Sequence, residues 1–559
     1  MMGVLHGEPT YDVNQAHTCA IEPWSDVIPL DKFESQEACK PRCVTMDDAM
    51  RHAQIPFPPA IRAAMMTRRC KMEQRLESKW LCAGLLALLT IFSLYLALNR
   101  IYQVDEAQNT YMAMIIGTGQ TGSYFTNAPL WLIGPLAWLA GSVKHSSTLF
   151  EWNRIIFFGV FWLNTVLIAL NTGERLLSRK GLLFLLLAAT LAPLWDYGFE
   201  IRHDNLILTG LLLMWWLGRT RPKGVPSYLL LGCLTVVLQF VAFKAFVYVL
   251  PLSLAFLACP PPAHNRGRLR LTTAWTAGAL VAFLACRLTY GLSGLWPIYL
   301  AGFHGGVEAS SGGTRFGPWM TLGRPLAQTP LLLALAAAAF WDLTLSIRKK
   351  GWSAWNWSGH VPEGCLCLGA LGALFINPTP FPYNLVNLIP FIFLLAIRFL
   401  APFMEGLTAN PKQVALAGGI LLFTHAVPFA AATWRHVDWS NDRQESLMQI
   451  AESLTDPAKD PVYDAIGMVP TRRSIHFHWY LHSLNMQSMM DGKEPGATQM
   501  LSAQPAPVLI PSYRTDWLSK GDWTFIQSRY LPLADDFWVL GQILPSGGGH
   551  YLVVHPGRY

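Results

Sequence analysis

Trp80-Leu-Cys-Ala-Gly-Leu-Leu-Ala-Leu-Leu-Thr-Ile-Phe-Ser-Leu-Tyr-Leu-Ala-Leu98 contains no charged residue and stops at Asn99-Arg100. Roughly 20 apolar residues of helix cross a hydrocarbon core of about 30 Å, so this stretch has the length and composition of one span. Only a helix satisfies its own backbone polar groups there. Gly181–Leu194 and Leu326–Phe340 are runs of the same kind. Across the 559 residues 52% are hydrophobic and 14% charged, against about 25% charged in a soluble domain. The expected fold class is a polytopic α-helical membrane protein.

Lys and Arg alternate between dense and sparse loops. The dense clusters are Arg62/Arg68/Arg69/Lys71/Arg75/Lys79, Arg175/Arg179/Lys180, Arg219/Arg221/Lys223, Arg266/Arg268/Arg270 and Arg348/Lys349/Lys350. The positive-inside rule places them, and the N-terminus, in the cytoplasm. Spans are expected near 80–98, 152–171, 181–197, 203–218, 226–241, 243–259, 271–292, 325–346, 361–377, 382–400 and 413–433, about 11 transmembrane helices. Pro129–Ala140 is too short to cross and reads as an interfacial helix in the first outer loop. Two helices, not one, over 226–259 keep 264–270 inside.

Residues 1–79 read as a cytoplasmic N-terminal extension without a signal-peptide layout, a start near Met65 or Met66 being the open alternative. From 434 to 559 the chain turns polar, with short apolar alternations such as Pro507–Ile510 and Tyr551–Val554 between Gly, Pro and Asp, the pattern of a small C-terminal soluble α/β domain. The ten cysteines suggest no disulfide plan, and Cys39 and Cys43 read as reduced thiols.

Four places carry chemistry. Tyr102-Gln-Val-Asp-Glu-Ala-Gln-Asn-Thr-Tyr111 puts Asp105 and Glu106 just beyond the first span, as a general base or as helix caps. Phe199-Glu-Ile-Arg-His-Asp-Asn205 crowds Glu200, Arg202, His203 and Asp204 at a membrane edge, where they are used or paired. Lys244, in Gln239-Phe-Val-Ala-Phe-Lys-Ala-Phe-Val-Tyr-Val-Leu250, is isolated among apolar residues and either meets a lipid phosphate or snorkels. Arg154, at the start of the second span, admits the same two readings. Asn377-Pro-Thr-Pro-Phe-Pro-Tyr383 forms an outer turn.

The Asp-Glu pair after the first span, the interfacial Pro-Leu-Trp-Leu segment, the Arg-x-Asp entering the fourth span and the later Lys together resemble the C-fold (GT-C) integral-membrane glycosyltransferases of the protein O-mannosyltransferase and lipid A aminoarabinose transferase type, family 39-like. The resemblance covers about residues 80–400. It implies a transferase domain over 80–433 that passes sugar from a polyprenyl-phosphate donor to a protein, lipid or glycan acceptor at the extracytoplasmic face of the cell (inner) membrane. Asp105, Glu106 and Asp204 match its acids, Asp105 as the base. Lys244, Arg202 and Arg324 would meet the donor phosphate, and Glu200, His203 and Tyr383 would support them. Asn127-Ala128-Pro129 departs from the pattern of many relatives, which carry a basic residue before the interfacial prolines; Lys244 or Arg324 would replace it. No cofactor is expected; a divalent cation on the Asp-Glu pair stays open, with no dedicated metal ligand set. Membrane lipids are partners and nucleic acid is not. The rival reading is a multi-span transporter or flippase of a lipid-linked or anionic solute, or a non-catalytic scaffold. The outer aromatics Trp479, Tyr480, Trp517, Trp523 and Trp538 read as core or as an acceptor surface.

Overall fold

The computed structural model describes residues 80–117, 130–220, 224–258, 267–297, 299–300, 329–350, 381–397, 419–437, 440–475 and 496–541, with a few isolated positions. Expectations for residues 1–79, Asn127-Ala128-Pro129, Arg324, nearly all of 361–377, Trp479, Tyr480 and Tyr551–Val554 lie outside the described residues.

The helices are α1 Trp80–Asn99, α2 Val104–Gly117, α3 Leu130–Ala140, α4 Ser146–Asn171, α5 Arg179–Ala189, α6 Ala192–Tyr197, α7 His203–Thr220, α8 Val225–Val241, α9 Phe246–Ala258, α10 Arg268–Leu292 and α11 Pro330–Lys350. A 3-10 segment, Pro382–Asn387, leads into helix over 389–397. Beyond a π-helical turn at Leu422–Ala426 come α12 Val427–Val437, α13 Asp442–Leu454, α14 Ala497–Ala503 and α15 Lys520–Arg529.

Among the described residues, α1, α4 and Leu269–Leu292 of α10 are long and apolar enough to cross a bilayer, and Val225–Val241 and Phe243–Leu257 are apolar but shorter. Leu81, Leu88 and Ile91 on α1 and Leu280, Leu284 and Leu288 on α10 are mostly exposed, as hydrocarbon-facing side chains are. The chain is an integral membrane protein.

Several elements differ from the expected spans. The stretch 181–197 is two helices, because Thr190 Oγ1 donates to the Leu186 and Leu187 carbonyls at 2.9 and 3.2 Å and closes α5. Pro193 then starts α6, where its missing N–H costs nothing. α4 begins at Ser146, before its apolar part, since the Ser146 N–H finds Glu452 Oε1 at 2.8 Å. The run 226–259 is two helices, as expected: it breaks at Ala242, whose backbone is extended, and a 3-10 turn, Phe243–Ala245, separates α8 from α9.

α8 and α10 pack at backbone distance. A Cβ on Gly232 would stand 1.9 Å from the Trp275 carbonyl oxygen, and one on Gly278 1.9 Å from that of Leu229. Small residues permit this approach where no hydrophobic effect drives helices together. The largest core gathers Phe161, Trp195 and Phe199, whose rings meet edge to face at 5.3–6.0 Å, with Leu211, Leu212 and Phe391.

Strands β1 Val462–Tyr463, β2 Val508–Leu509, β3 Tyr530–Ala534 and β4 Phe537–Leu540 form a mixed sheet in the order β1-β2-β4-β3. β1 and β2 run parallel, with Val462 opposite Val508; β4 is antiparallel to both neighbours. Alternate residues point to opposite faces. Val462, Val508 and Phe537 join a core with Tyr102, Phe150, Phe157 and Met448, whereas Tyr463 and Leu509 pack with Met500 of α14 and Ile526 of α15. Ser519 caps α15 by accepting from the Asp522 N–H at 3.1 Å, and Asp522 in turn accepts from the Thr498 N–H and hydroxyl, tying α15 to α14.

Candidate active site

The site grows from the end of α1. Its last carbonyls have no helical partner, and a cation near that end is favourable. Arg154, reaching in from α4, donates to the carbonyls of Ala97 (3.1 Å), Arg100 and Ile101 (2.9 Å). The same guanidinium donates from Nε and Nη2 to the two oxygens of Glu106, at 3.0 and 2.7 Å. Glu106 also accepts from the Gln103 N–H at 2.9 Å, closing the first turn of α2, and from the Ile201 N–H at 3.2 Å. Burial would raise the Glu106 carboxyl, but Arg154 more than reverses this and holds it below its ordinary value.

Glu106 is fully buried with both oxygens bonded to Arg154. The two neighbouring acids face different arginines, Glu106 towards Arg154 and Asp105 towards Arg202. No group of three metal-ligating side chains occurs among the described residues. Arg154 neither snorkels nor faces a lipid, being buried against Glu106 and stacked 4.3 Å from the Tyr102 ring centroid.

A second buried layer carries the turn before α7. Arg100 pairs with Glu200 and donates to the Asp196 carbonyl at 2.7 Å; Glu200 Oε2 stands 3.4 Å from Arg202 Nε. Asn109 of α2 donates to the Ile201 carbonyl at 2.8 Å, fixing that turn against α2. Glu200 is thus a buried brace between two arginines.

The predicted residues Asp105, Arg202, His203, Asp204, Lys244 and Tyr383 converge above these layers. Arg202 donates to Asp105 Oδ2 from both Nη1 (2.7 Å) and Nη2. Among the described residues Oδ1 has no protein partner, and the Asp105 side chain is 36% exposed. Tyr383, in the 3-10 segment Pro382–Asn387, lies beneath two cations: the Arg202 guanidinium carbon is 3.6 Å and Lys244 Nζ 5.1 Å from its ring centroid. Lys244 Nζ is 2.7 Å from Asp204 Oδ1 and donates to Asn384 Oδ1 at 3.1 Å. Asn387 donates to Asp204 Oδ1 at 3.4 Å, and His203 Nε2 is 3.6 Å from Asp204 Oδ2. Asp204 is almost wholly buried, while Lys244 and His203 keep 28 and 31% of their side chains exposed. Asp204, in the first turn of α7, is placed where a helix favours an anion, and it holds Lys244 without reaching the opening.

The sequence reading missed Arg100, Asn384 and Asn387. The two amides carried a usable signal, polar residues entering an otherwise apolar stretch. The aromatics of the C-terminal region divide: the Trp523 and Trp538 rings pack on each other at 5.9 Å beside the α14–α15 core. A separate cavity of about 580 Å³, lined by Met114, Lys144, His145, Glu452, Thr471 and Arg472 among others, lies at the far end of α2.

No protein-family model matches the chain, and no curated protein matches it in sequence. Among solved structures, ArnT from Cupriavidus metallidurans bound to undecaprenyl phosphate superposes with a TM-score of 0.50 at 12% identity, covering 82% of this chain and 98% of that one. The Archaeoglobus fulgidus oligosaccharyltransferase tethered with an acceptor peptide gives 0.46 at 11% identity over 83% of this chain and 74% of that one. The archaeal oligosaccharyltransferase AglB with an inhibitory peptide and dolichol-phosphate gives 0.46 at 11% over 82% and 75%. At such identity the likeness is one of fold, and the chain has the GT-C-like fold of the membrane glycosyltransferase ArnT.

Proposed function

We propose that the protein is a membrane glycosyltransferase that moves a sugar from a polyprenyl-phosphate donor to an acceptor hydroxyl. A shared fold does not fix a function, so the site must support the reading. The observation that carries it is the partly exposed cluster in which Arg202 and Lys244 share the Tyr383 ring and Arg202 holds one oxygen of Asp105, leaving the other uncommitted among the described residues. ArnT, whose fold this chain shares, was crystallised with undecaprenyl phosphate, which supports a donor of that class.

Transfer then runs as a single displacement. The acceptor oxygen bonds to the anomeric carbon as the bond from that carbon to the phosphate oxygen breaks, and the electron pair leaves with the polyprenyl phosphate. Asp105 Oδ1 takes the acceptor proton. Arg202, on the other oxygen, keeps the carboxylate aimed. Lys244, at the junction of two apolar helices where a lipid-borne phosphate arrives, meets the charge that develops on the leaving group. The charge pattern supports a cytoplasmic N-terminus, and with it a site and residues 434–559 on the extracytoplasmic side of the cell membrane.

Radiolabel transfer from a panel of polyprenyl-phosphate sugars into membrane extract, by purified protein, tests this. Donor-dependent transfer is expected, falling by about 10²–10⁴ with Asp105→Asn as a general base is lost. Absence of transfer from every donor, with solute uptake in proteoliposomes instead, would replace the transferase by a transporter.

A further inference from the structure

Arg287 has no part in the site above. It lies on α10 and is exposed on the same surface as Leu284 and Leu288, which face hydrocarbon. Among the described residues its guanidinium meets one ring, that of Trp296, and no carboxylate. A charge on a lipid-facing helix is costly unless it finds a partner or the headgroups. The helix sets its depth. Arg268 and Arg270 begin α10, and at about 1.5 Å per residue Arg287 stands about 26 Å beyond Arg270, close to the roughly 30 Å of a hydrocarbon core. Arg287 therefore reaches the opposite boundary of the membrane, where lipid phosphates lie.

That boundary is the one that carries Lys244. α8 and α10 run parallel: Tyr228 packs with Leu271 and Ala274 at one end, and at the other the Phe240 ring lies 6.3 Å from that of Phe283 and 5.4 Å from that of Tyr290. Lys244 follows Phe240 by four residues. The guanidinium is also held in place. A Cβ on Gly291 would stand 2.9 Å from Arg287 Nη1, so the side chain runs over that glycine toward the end of α10, where a helix favours a cation. Gly294, at a φ of +70°, turns the chain back there. The Leu295 N–H donates to the Tyr290 carbonyl at 2.9 Å and the Gly294 N–H to that of Gly291 at 3.2 Å. Trp296 is thereby laid against the guanidinium, whose carbon is 4.2 Å from the ring centroid. The Trp296 ring stacks on Tyr299 at 5.5 Å, and Tyr299 on Phe240 at 4.9 Å. A run of rings in contact thus joins Arg287 to the helix end that leads into Lys244.

We propose that Arg287, held by Trp296, is a binding site for a lipid phosphate at the membrane rim, separate from the site built on Asp105 and Lys244. Stacking fixes the plane of the guanidinium and leaves its N–H fork for two phosphate oxygens, a recognition that a lysine does not reproduce. A tryptophan at this level seats the site in the interface, apolar on one side and wet on the other. The ligand is defined by its chemistry, an anionic phosphate that a phospholipid and a polyprenyl carrier present at the same depth. The site does not depend on the transferase reading.

Native mass spectrometry of the full-length protein, titrated separately with polyprenyl phosphate, phosphatidylglycerol and phosphatidylcholine, counts the lipids bound and tests this. Arg287→Gln should raise the concentration for half-occupancy by one anionic lipid about fivefold or more, and Arg287→Lys, which keeps the charge but not the planar fork, about two- to threefold. Phosphatidylcholine, whose phosphate is offset by its own ammonium, should stay within about twofold. The anionic lipid whose binding falls further is the occupant; for polyprenyl phosphate the loss should add to that of Lys244→Ala. Where Arg287→Gln lowers the thermal midpoint, Arg287→Lys decides by the same reading. Unchanged binding of both anionic lipids, or an equal loss of phosphatidylcholine, would overturn the site and leave Arg287 a snorkelling side chain. Binding is read without any transfer, so its failure and that of the transferase are told apart.

Discussion

Arg154 makes its bonds to the Ala97, Arg100 and Ile101 carbonyls and to both oxygens of Glu106 with its whole guanidinium out of water. Removing one partner of such a pair leaves the other buried and unsatisfied, at a cost of about 3–5 kcal/mol. Glu106→Gln and Arg154→Met should therefore lower the thermal midpoint and yield of detergent-purified protein sharply, and Asp105→Asn should not. Lys244 is itself partly exposed, but it is the cation 2.7 Å from the buried Asp204, which among the described residues keeps only the Asn387 hydrogen bond, at 3.4 Å, without it. Lys244→Ala should therefore lower the midpoint as well, and cut transfer by about 10²–10³, the usual effect of losing one fixed charge at a developing anion; Lys244→Ala with Asp204→Asn should recover the midpoint and not the transfer. The sequence made Asp105, Arg202, Asp204 and Lys244 visible because charge in an apolar surrounding is conspicuous over a short window. It did not make Glu106 legible as a brace, since its partner lies 48 residues away and no local pattern separates a carboxylate facing solvent from one facing a buried arginine.

The helices were legible where apolar runs are long, as in Trp80–Asn99 and the α8–α9 pair, because hydrocarbon length imposes itself on composition. The break within 181–197 was not. Whether that stretch stays one helix depends on Thr190 closing α5 and on its hydroxyl meeting His425 Nε2 at 2.8 Å, a tertiary contact, whereas two helices over 226–259 were legible because a single one would put the basic cluster at 264–270 outside. The break at Ala242 matters for function, since the 3-10 turn it opens brings Lys244 to Asp204 and Tyr383. Helix contacts carry a plainer signal in glycine. With 1.9 Å between a notional Cβ and a backbone oxygen at Gly232 and at Gly278, a side chain at either position forces α8 and α10 apart. Gly232→Val or Gly278→Val should cost about 1–3 kcal/mol by overpacking, read as a lower thermal midpoint, while Gly267→Ala, where a Cβ meets nothing within 4 Å, should be tolerated.

At the scale of the whole chain, the reactive rim depends on holding the sheet region against α2 and α4, and Glu452 is the polar centre of that contact. One of its oxygens accepts from the Ser146 N–H at 2.8 Å and the Thr471 hydroxyl at 2.6 Å, and the other lies 3.2 Å from His145 Nδ1. The C-terminal composition pointed to an α/β region but not to this docking, because Val462 and Val508 look the same in a sequence whether they cover a domain's own core or one shared with Tyr102 and Phe150. Burial would raise the Glu452 carboxyl, yet the donors from Ser146, Thr471 and His145 outweigh it and hold it below 4.5. A carboxylate lowered on folding binds fewer protons in the native state than in the unfolded one. Its contribution is then present in full above the unfolded value of 4.5 and is lost as the pH falls through the lower folded value. Thermal midpoints measured from neutral pH downward should be flat to about pH 5 and then fall. Glu452→Gln, which cannot ionise, should start lower at neutral pH and show a shallower acid slope than wild type. An identical slope in the two proteins would place the acid sensitivity elsewhere and remove Glu452 as the clamp between the sheet and the helices that carry Asp105.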